Sequence, residues 1–229
     1  MSEPRRVLLV GASGLVGTQA MEAARGIPGM RLTALTRREA PMPRGARMDM
    51  LVADPARWPE AVATLAPAAV ICALGTTWRK AGRSEEAFRA VDRDLVLAIA
   101  KAAKGAGAET FVVVSSVGAE PHAKARYLRV KGETEAALAQ LHFRRLDLLR
   151  PGLLRGKRGA DRRWLERLAI LVSPLTDRFL RGARRRYRSI PARRVAVAAL
   201  QCAREKAQGR FVHDNDAIAR LAHRLEAAG

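Results

Sequence analysis

The sequence predicts an α/β protein built on a doubly wound parallel sheet, with helices on both faces and a small C-terminal region added to it. Three observations predict it. Short apolar runs alternate with helix-like segments from the N-terminus to about residue 150. The runs are continuously apolar rather than alternating in polarity, as strands covered on both faces are. The first run ends in a glycine-rich turn that leads directly into an alanine-rich helical pattern. Right-handed crossovers between such parallel strands give the doubly wound arrangement.

Taken in order, residues 7–10 form a buried first strand and residues 15–25 the first helix. Met30–Thr36 is the second strand, followed by a loop marked by Pro41, Pro43 and Gly45. Residues 47–53 form the third strand, which Asp54-Pro55 ends. Residues 59–65 are a short helix, and residues 68–74 a wholly apolar fourth strand. Residues 85–104 predict one long helix, with Ser84 as its N-cap and Gly105 and Gly107 at its end. Residues 110–115 are a fifth strand rich in β-branched side chains. Residues 125–141 are the next helix and residues 146–149 the sixth strand. After Pro151 glycine and arginine interrupt the chain, residues 164–175 are amphipathic, and Arg184-Arg185-Arg186 is a charge run. Ile190-Pro191 opens a helix rich in alanine and valine, and Phe211-Val212 is a last short strand. No linker or repeat sets this part apart. Residues 1–229 are therefore expected to form one domain, with a core of about 1–152 and an extension of about 153–229.

A chain of 229 residues, 48% apolar, is long enough for one α/β domain with a full core. No apolar run approaches the roughly 18 residues that cross a bilayer. Residues 1–6 lead straight into the first strand, which leaves no room for a signal peptide. The two cysteines, Cys72 and Cys202, cannot build a disulfide framework, so a reducing, cytoplasmic setting is expected. His122, His142, His213 and His223 have no metal-ligand spacing, and no metal is expected. The net charge is +20, and 35 of the 42 basic residues are arginine. Such an excess suits an anionic partner, nucleic acid or an acidic membrane. No helix-turn-helix, zinc-finger or RNA-recognition signature accompanies it, and aromatics for base stacking are few. The favoured expectation is solvated charge.

The run Val7-Leu8-Leu9-Val10-Gly11-Ala12-Ser13-Gly14-Leu15-Val16-Gly17 carries the first chemistry. Gly11 would let the chain turn sharply, Gly14 would let backbone approach a pyrophosphate, and Gly17 would let helix pack on strand. The amides around Ser13, Leu15 and Val16, at the positive end of the helix dipole, would hold the phosphates. A dinucleotide is the ligand this pattern predicts. The second strand ends in Thr36-Arg37-Arg38, with no carboxylate to accept a ribose 2′-hydroxyl. Arg37 and Arg38 would accommodate a 2′-phosphate, so NADP(H) is favoured, with NAD(H) as the other option. Asp54 would lie near the adenine, or would cap the helix that follows it.

A second cluster joins Ser115-Ser116-Val117-Gly118 to Tyr127-Leu128-Arg129-Val130-Lys131. Tyr and Lys four apart point the same way on a helix. With two tyrosines and seven lysines in the chain, that spacing is uncommon by chance. Lysine is also telling where arginine is the default cation, because it is a compact point charge rather than a fork. Cys72 lies inside a strand and is expected to be a core residue.

A serine followed by Tyr-x-x-x-Lys, behind a GxxGxxG first turn, resembles the short-chain dehydrogenase/reductases. Cys72-Ala73-Leu74-Gly75-Thr76-Thr77, Val91-Asp92-Arg93-Asp94, Tyr127-Leu128-Arg129-Val130-Lys131-Gly132-Glu133 and Leu149-Arg150-Pro151-Gly152 resemble its atypical branch, typified by the Tat-interacting-protein-like NAD(P)H-binding oxidoreductases. The resemblance spans about residues 7–195. It implies a Rossmann fold and hydride transfer to or from a carbonyl or alcohol. Tyr127 would be the general acid/base, Lys131 would help its ionisation and hold the nicotinamide ribose, and Ser116 would bond the substrate oxygen. Leu74, Gly75 and Thr76 would lie along the cofactor, with Pro151 and Gly152 beside the nicotinamide. Many relatives carry Asn where this chain has Asp92. The substrate itself is not named by any residue. Trp164, Leu165, Leu168, Ile170 and Leu171, rimmed by Arg162, Arg163, Arg167, Arg178 and Arg181, suggest a lid over a hydrophobic small molecule with an acidic group. The competing expectation is a helix packed on the sheet. A monomer or homodimer is expected. The rival functions are an NADPH-binding sensor or scaffold with little catalysis, and a basic protein associated with nucleic acid or membrane.

Overall fold

The computed structural model describes residues 3–77, 79–156 and 187–227. Its strands in chain order are β1 (Arg5–Val10), β2 (Met30–Thr36), β3 (Met48–Val52), β4 (Ala69–Cys72), β5 (Thr110–Val114), β6 (Arg145–Leu149), β7 (Leu154–Arg155), β8 (Ile190–Pro191) and β9 (Gly209–His213). Its helices are α1 (Leu15–Ala24), α2 (Trp58–Leu65), α3 (Glu85–Arg89), α4 (Val96–Gly105), α5 (Arg126–Ala139), α6 (Ala192–Arg204) and α7 (Asn215–Ala227). Seven strands make one sheet in the order β3-β2-β1-β4-β5-β6-β9, and every pairing in it is parallel. This is the doubly wound sheet that the sequence predicts.

The continuous apolar runs have a simple cause. Successive side chains on a strand face opposite ways, and both faces of this sheet are covered. Val7, Leu9, Ala69, Ile71 and Val112 enter one layer with residues of α1, α6 and α7. Leu8, Val10, Val70, Cys72, Phe111 and Val113 enter the other, with residues of α2 and α4 and with Leu138 of α5.

Several boundaries depart from the sequence expectation. Residues 85–104 are not one regular helix: a π turn, Ala90–Leu95, lies between α3 and α4. Ser84 does cap α3, its hydroxyl accepting the amide of Ala87 at 3.1 Å. Ile190-Pro191 does not open the helix but forms a short parallel pair with β7, and α6 starts at Ala192. Proline cannot donate within a helix, so it stands naturally just outside one. The last strand is longer than two residues and pairs with β6 inside the main sheet. Helix α7 was not anticipated. The amphipathic stretch 164–175, the arginine run 184–186 and the proposed lid residues, Arg162 to Arg181, lie outside the described residues.

Candidate functional site

The strand order reverses between β1 and β4, the place where open α/β sheets take ligands. A cleft of about 560 Å³ opens there. It is lined by Gly11, Ser13, Gly14, Leu15 and Thr18, by Thr36, Arg37 and Arg38, by residues 73–77, and by Pro55, Trp58, Lys80, Val91 and Leu95.

The three glycines have separate physical reasons. Gly11 sits at φ +84°, and a Cβ on it would stand 2.9 Å from the carbonyl of Ala73. A Cβ on Gly17 would stand 2.3 Å from the Gly11 oxygen, so only glycine lets α1 pack against the turn. A Cβ on Gly14 would meet just two atoms, the Gly11 oxygen at 3.1 Å and the Ala73 oxygen at 3.9 Å. Gly14 is also the N-cap of α1, and among the described residues no side chain bonds the amides of that first turn. Those amides and the helix dipole suit an anion, and the cradle fits the pyrophosphate of a dinucleotide.

The rim beside β2 is cationic. Arg37 and Arg38 are exposed there. The Thr36 hydroxyl donates to the Arg38 carbonyl at 2.6 Å and accepts its amide at 3.3 Å, fixing the backbone that carries both. Lys80, which the sequence did not single out, adds a third cation to the lining. Asp54 caps the one-turn 3-10 helix Pro55–Arg57, its carboxylate accepting the Ala56 amide at 2.8 Å. Pro55 lines the cleft and Asp54 does not.

Tyr127 and Lys131 stand one turn apart on α5. Gly132 lets that helix approach the preceding loop, because a Cβ there would lie 2.2 Å from the Glu120 carbonyl carbon. Tyr127 is 38% exposed and its ring packs on Phe88, with ring centroids 5.6 Å apart. Lys131 is 5% exposed, and its Nζ lies 2.8 Å from Oδ1 of Asp92, which is wholly buried. The other Asp92 oxygen accepts the Thr76 amide at 2.7 Å. Burial works against the charge on Lys131, but the Asp92 carboxylate, and after it Tyr127, outweigh burial and hold the ammonium above the ordinary lysine range. Burial pushes the Cys72 thiol up to about 11, as expected of a core cysteine.

Both serines stand at the C-terminal end of β5. The Ser116 hydroxyl donates to the Val117 carbonyl at 3.3 Å. The Ser115 hydroxyl is buried and has no partner among the described residues. Pro151 accepts the Val117 amide at 2.9 Å, tying the serine loop to the chain after β6. The Gly152 amide donates to Asn215 at 2.9 Å, and the Asn215 amide donates to the Arg188 carbonyl at 2.6 Å. A Cβ on Gly152 would stand 2.1 Å from that same carbonyl.

The cleft lining therefore brings together Gly11, Ser13, Gly14, Leu15, Arg37, Arg38, Leu74, Gly75 and Thr76. Val16, Gly17, Asp54, Ser116, Tyr127, Lys131, Pro151 and Gly152 are not in that lining, although Lys131 reaches it through Asp92 and Thr76. A second buried polar cluster lies between β6, α6 and β9. Asp147 accepts two bonds from Arg145, at 2.6 and 2.8 Å, and contacts His213 Nε2 at 2.7 Å, while Cys202 Sγ lies 3.9 Å from that nitrogen. The Arg145 fork meets both oxygens of the carboxylate, so the cluster ties β6 to β9 through Asp147.

Comparison with known proteins agrees with this geometry. A family described as NAD(P)H-binding matches residues 11–166. "Protein FMP52, mitochondrial" of Eremothecium gossypii is 40% identical over 156 residues, covering 66% of this chain and 67% of that protein. The protein of the same name from Saccharomyces cerevisiae is 36% identical over 154 residues, covering 66% of each. Among solved structures, MoeE5 in complex with UDP-glucose and NAD has a TM-score of 0.68 at 16% identity, over 97% of this chain and 82% of that one. The Bordetella bronchiseptica enzyme WbmG in complex with NAD has a TM-score of 0.65 at 15% identity, over 100% of this chain and 79% of that one. At such identity these structures speak for the fold alone. These curated relatives are named mitochondrial, which overturns the expected cytoplasmic setting. Two unpaired, buried cysteines separate reducing from oxidising compartments, not one reducing compartment from another.

Proposed function

The chain belongs to the NAD(P)H-binding family, and we propose that it is an oxidoreductase of the atypical short-chain type, preferring NADP(H) and acting on a carbonyl or alcohol of a small molecule. The observation that carries this reading is the link from the phosphate cradle to α5: Thr76 lines the cleft and is bonded to Asp92, which holds Lys131.

When bound, the cofactor supplies or accepts the hydride. Residues 11–17 would hold its phosphates, and Gly75, Thr76 and Lys131 its nicotinamide ribose. Arg37 and Arg38, with Lys80 nearby, would meet a 2′-phosphate. Tyr127 would exchange the proton at its phenol oxygen, next to the charge of Lys131, and a serine hydroxyl at the end of β5 would bond the substrate oxygen. Residues 1–152 and the extension after them would act as one domain, which is supported by the β6–β9 pairing and by α6 packing against α1.

A second reading, a dinucleotide-binding sensor, is favoured by one observation. Neither Ser116 nor Tyr127 is in the lining of the cleft. One experiment separates the two. Tyr127→Phe should leave NADPH affinity within about threefold and reduce turnover of a carbonyl substrate by two orders of magnitude or more. Near-normal turnover in that variant would end the catalytic assignment, and failure of the unaltered protein to bind either dinucleotide would end both readings.

A further inference from the structure

Asp92 joins the two halves of the site, yet the chemistry above gives it no part. It lies in the π turn, a wide helical turn of the kind that recurs at functional sites. Its carboxylate reaches in two directions, to the Thr76 amide at 2.7 Å and to Lys131 Nζ at 2.8 Å. Its carbonyl accepts the Thr134 hydroxyl of α5 at 3.1 Å, so α5 grips the residue through backbone as well as side chain. On the cleft side the pair borders Gly75, which has no side chain. A Cβ on Gly75 would lie 3.5 Å from Asp92 Oδ1 and 4.0 Å from Lys131 Nζ.

We propose that Asp92 is a positioning residue, which keeps Lys131 charged out of water and locks it in register with the Gly75-Thr76 loop, so that the groups facing the ribose form one rigid unit. The proposal rests on the dinucleotide reading above. An ammonium 5% exposed has lost most of its hydration, which favours the neutral amine unless a fixed negative charge compensates. Among the described residues three titratable groups face it: Asp92 from the π turn, Tyr127 from α5 and Cys72 from β4. The Cys72 thiol, pushed up to about 11, is neutral at working pH. Asp92 is the one carboxylate among those three. A lysine suits this task better than the arginine common elsewhere in the chain, because a point charge can meet one carboxylate oxygen and still donate elsewhere.

The test follows Lys131 Nζ by nitrogen-15 NMR in the free protein, with calorimetric NADPH affinity over the same pH range. Asp92→Asn keeps an oxygen for the Thr76 amide and removes the charge. In the unaltered protein Lys131 should remain protonated through about pH 10, with affinity nearly flat from about pH 6 to 9. In Asp92→Asn, Lys131 should lose its proton at least about two units lower, near pH 8 or below, and NADPH affinity should fall tenfold or more between about pH 6 and 9 while staying within about threefold of normal at the acidic end. An unchanged Lys131 titration in the variant overturns the proposal, even if affinity falls equally at every pH, because that pattern belongs to a merely structural residue. If Asp92→Asn does not fold, the unaltered protein decides, and a Lys131 that deprotonates below about pH 9 overturns the proposal. If Lys131 titrates as expected but no dinucleotide binds, the cofactor reading fails and the charge pairing stands.

Discussion

Asp92 and Asp147 are both shut off from solvent, and each faces a cation. They differ in what the cation does with its remaining donors. Arg145 meets Asp147 through two parallel bonds, gives another to the Ala207 carbonyl at 2.8 Å, and lies 4.3 Å over the Phe211 ring. His213 adds a further contact to the carboxylate. This network closes on itself and joins β6 to β9. Lys131 meets Asp92 through one contact, and the pair borders Gly75 on the wall of the cleft. Arginine has a planar fork that is used up in fixed directions, whereas lysine has three rotatable donors. The contrast teaches how burial of a similar pair can serve cohesion in one place and leave binding capacity in another.

The contrast can be broken at several points. Asp147→Ala strands the Arg145 charge, and should cost about 3–5 kcal/mol in chemical denaturation. A loss below about 1 kcal/mol would show that the cluster does not hold the sheet together. Replacing Arg37 and Arg38 together by alanine tests cations that face outward. We expect unfolding free energy to stay within about 0.5 kcal/mol, and calorimetry to show loss of a tenfold or greater preference for NADPH over NADH, each bond to a 2′-phosphate being worth roughly 1.5–3 kcal/mol. Equal affinity of the unaltered protein for both cofactors would remove the NADP preference. Thr134→Val deletes the hydroxyl that bonds the Asp92 carbonyl, and should cost about 1 kcal/mol of stability. Gly75→Ala sharpens the comparison most finely. Its new Cβ would make ordinary contacts with the pair, so stability should stay within about 0.5 kcal/mol while dinucleotide affinity falls about threefold or more. Unchanged affinity would mean that the open side of the pair is not where the ligand sits. The pH sign also distinguishes the pair. Lys131 is held above the ordinary lysine value, so its contribution to stability is fully present below that ordinary value and is lost as pH rises from there through the raised one.

Much of the architecture was readable from period and punctuation. Met30–Thr36 has the bounds expected of it because charge, glycine and proline flank an apolar run. Gly11, Gly14 and Gly17 announce the cradle because two of them are glycines that no Cβ could replace without displacing backbone. The π turn was not readable. A helix that gains one residue keeps its composition and shifts only its register, so Asp92 was seen as a place where relatives differ and not as a partner of Lys131. Helix α7 could have been found: Ile218, Leu221, Ala222 and Leu225 are buried at helical spacing, behind Asp214, whose carboxylate accepts the Ala217 amide at 2.9 Å. The Arg145–Asp147 pair was missed because the sixth strand was begun one residue late, at 146. Two positions apart on a strand share a face, so once Arg145 belongs to β6 the pair follows. Lys80 carries no signal at all; only the path of the loop brings it to the cleft.

The position of β9 has a consequence for how the chain is made. Synthesis delivers the N-terminal portion first, so residues 5–149 can assemble six strands and the whole glycine turn while β9 is still to come. During that interval β6 is an unprotected edge, the kind of strand on which nascent chains stick to one another. Arg145 and Asp147 sit on that edge, and these charges, buried in the finished protein, are solvated before it is finished. Only when residues 209–213 arrive, bringing Phe211 and His213, does the edge become a neighbour and the charges become an interior. The same two side chains thus stand in water at an open edge first, and afterwards fasten β6 to β9.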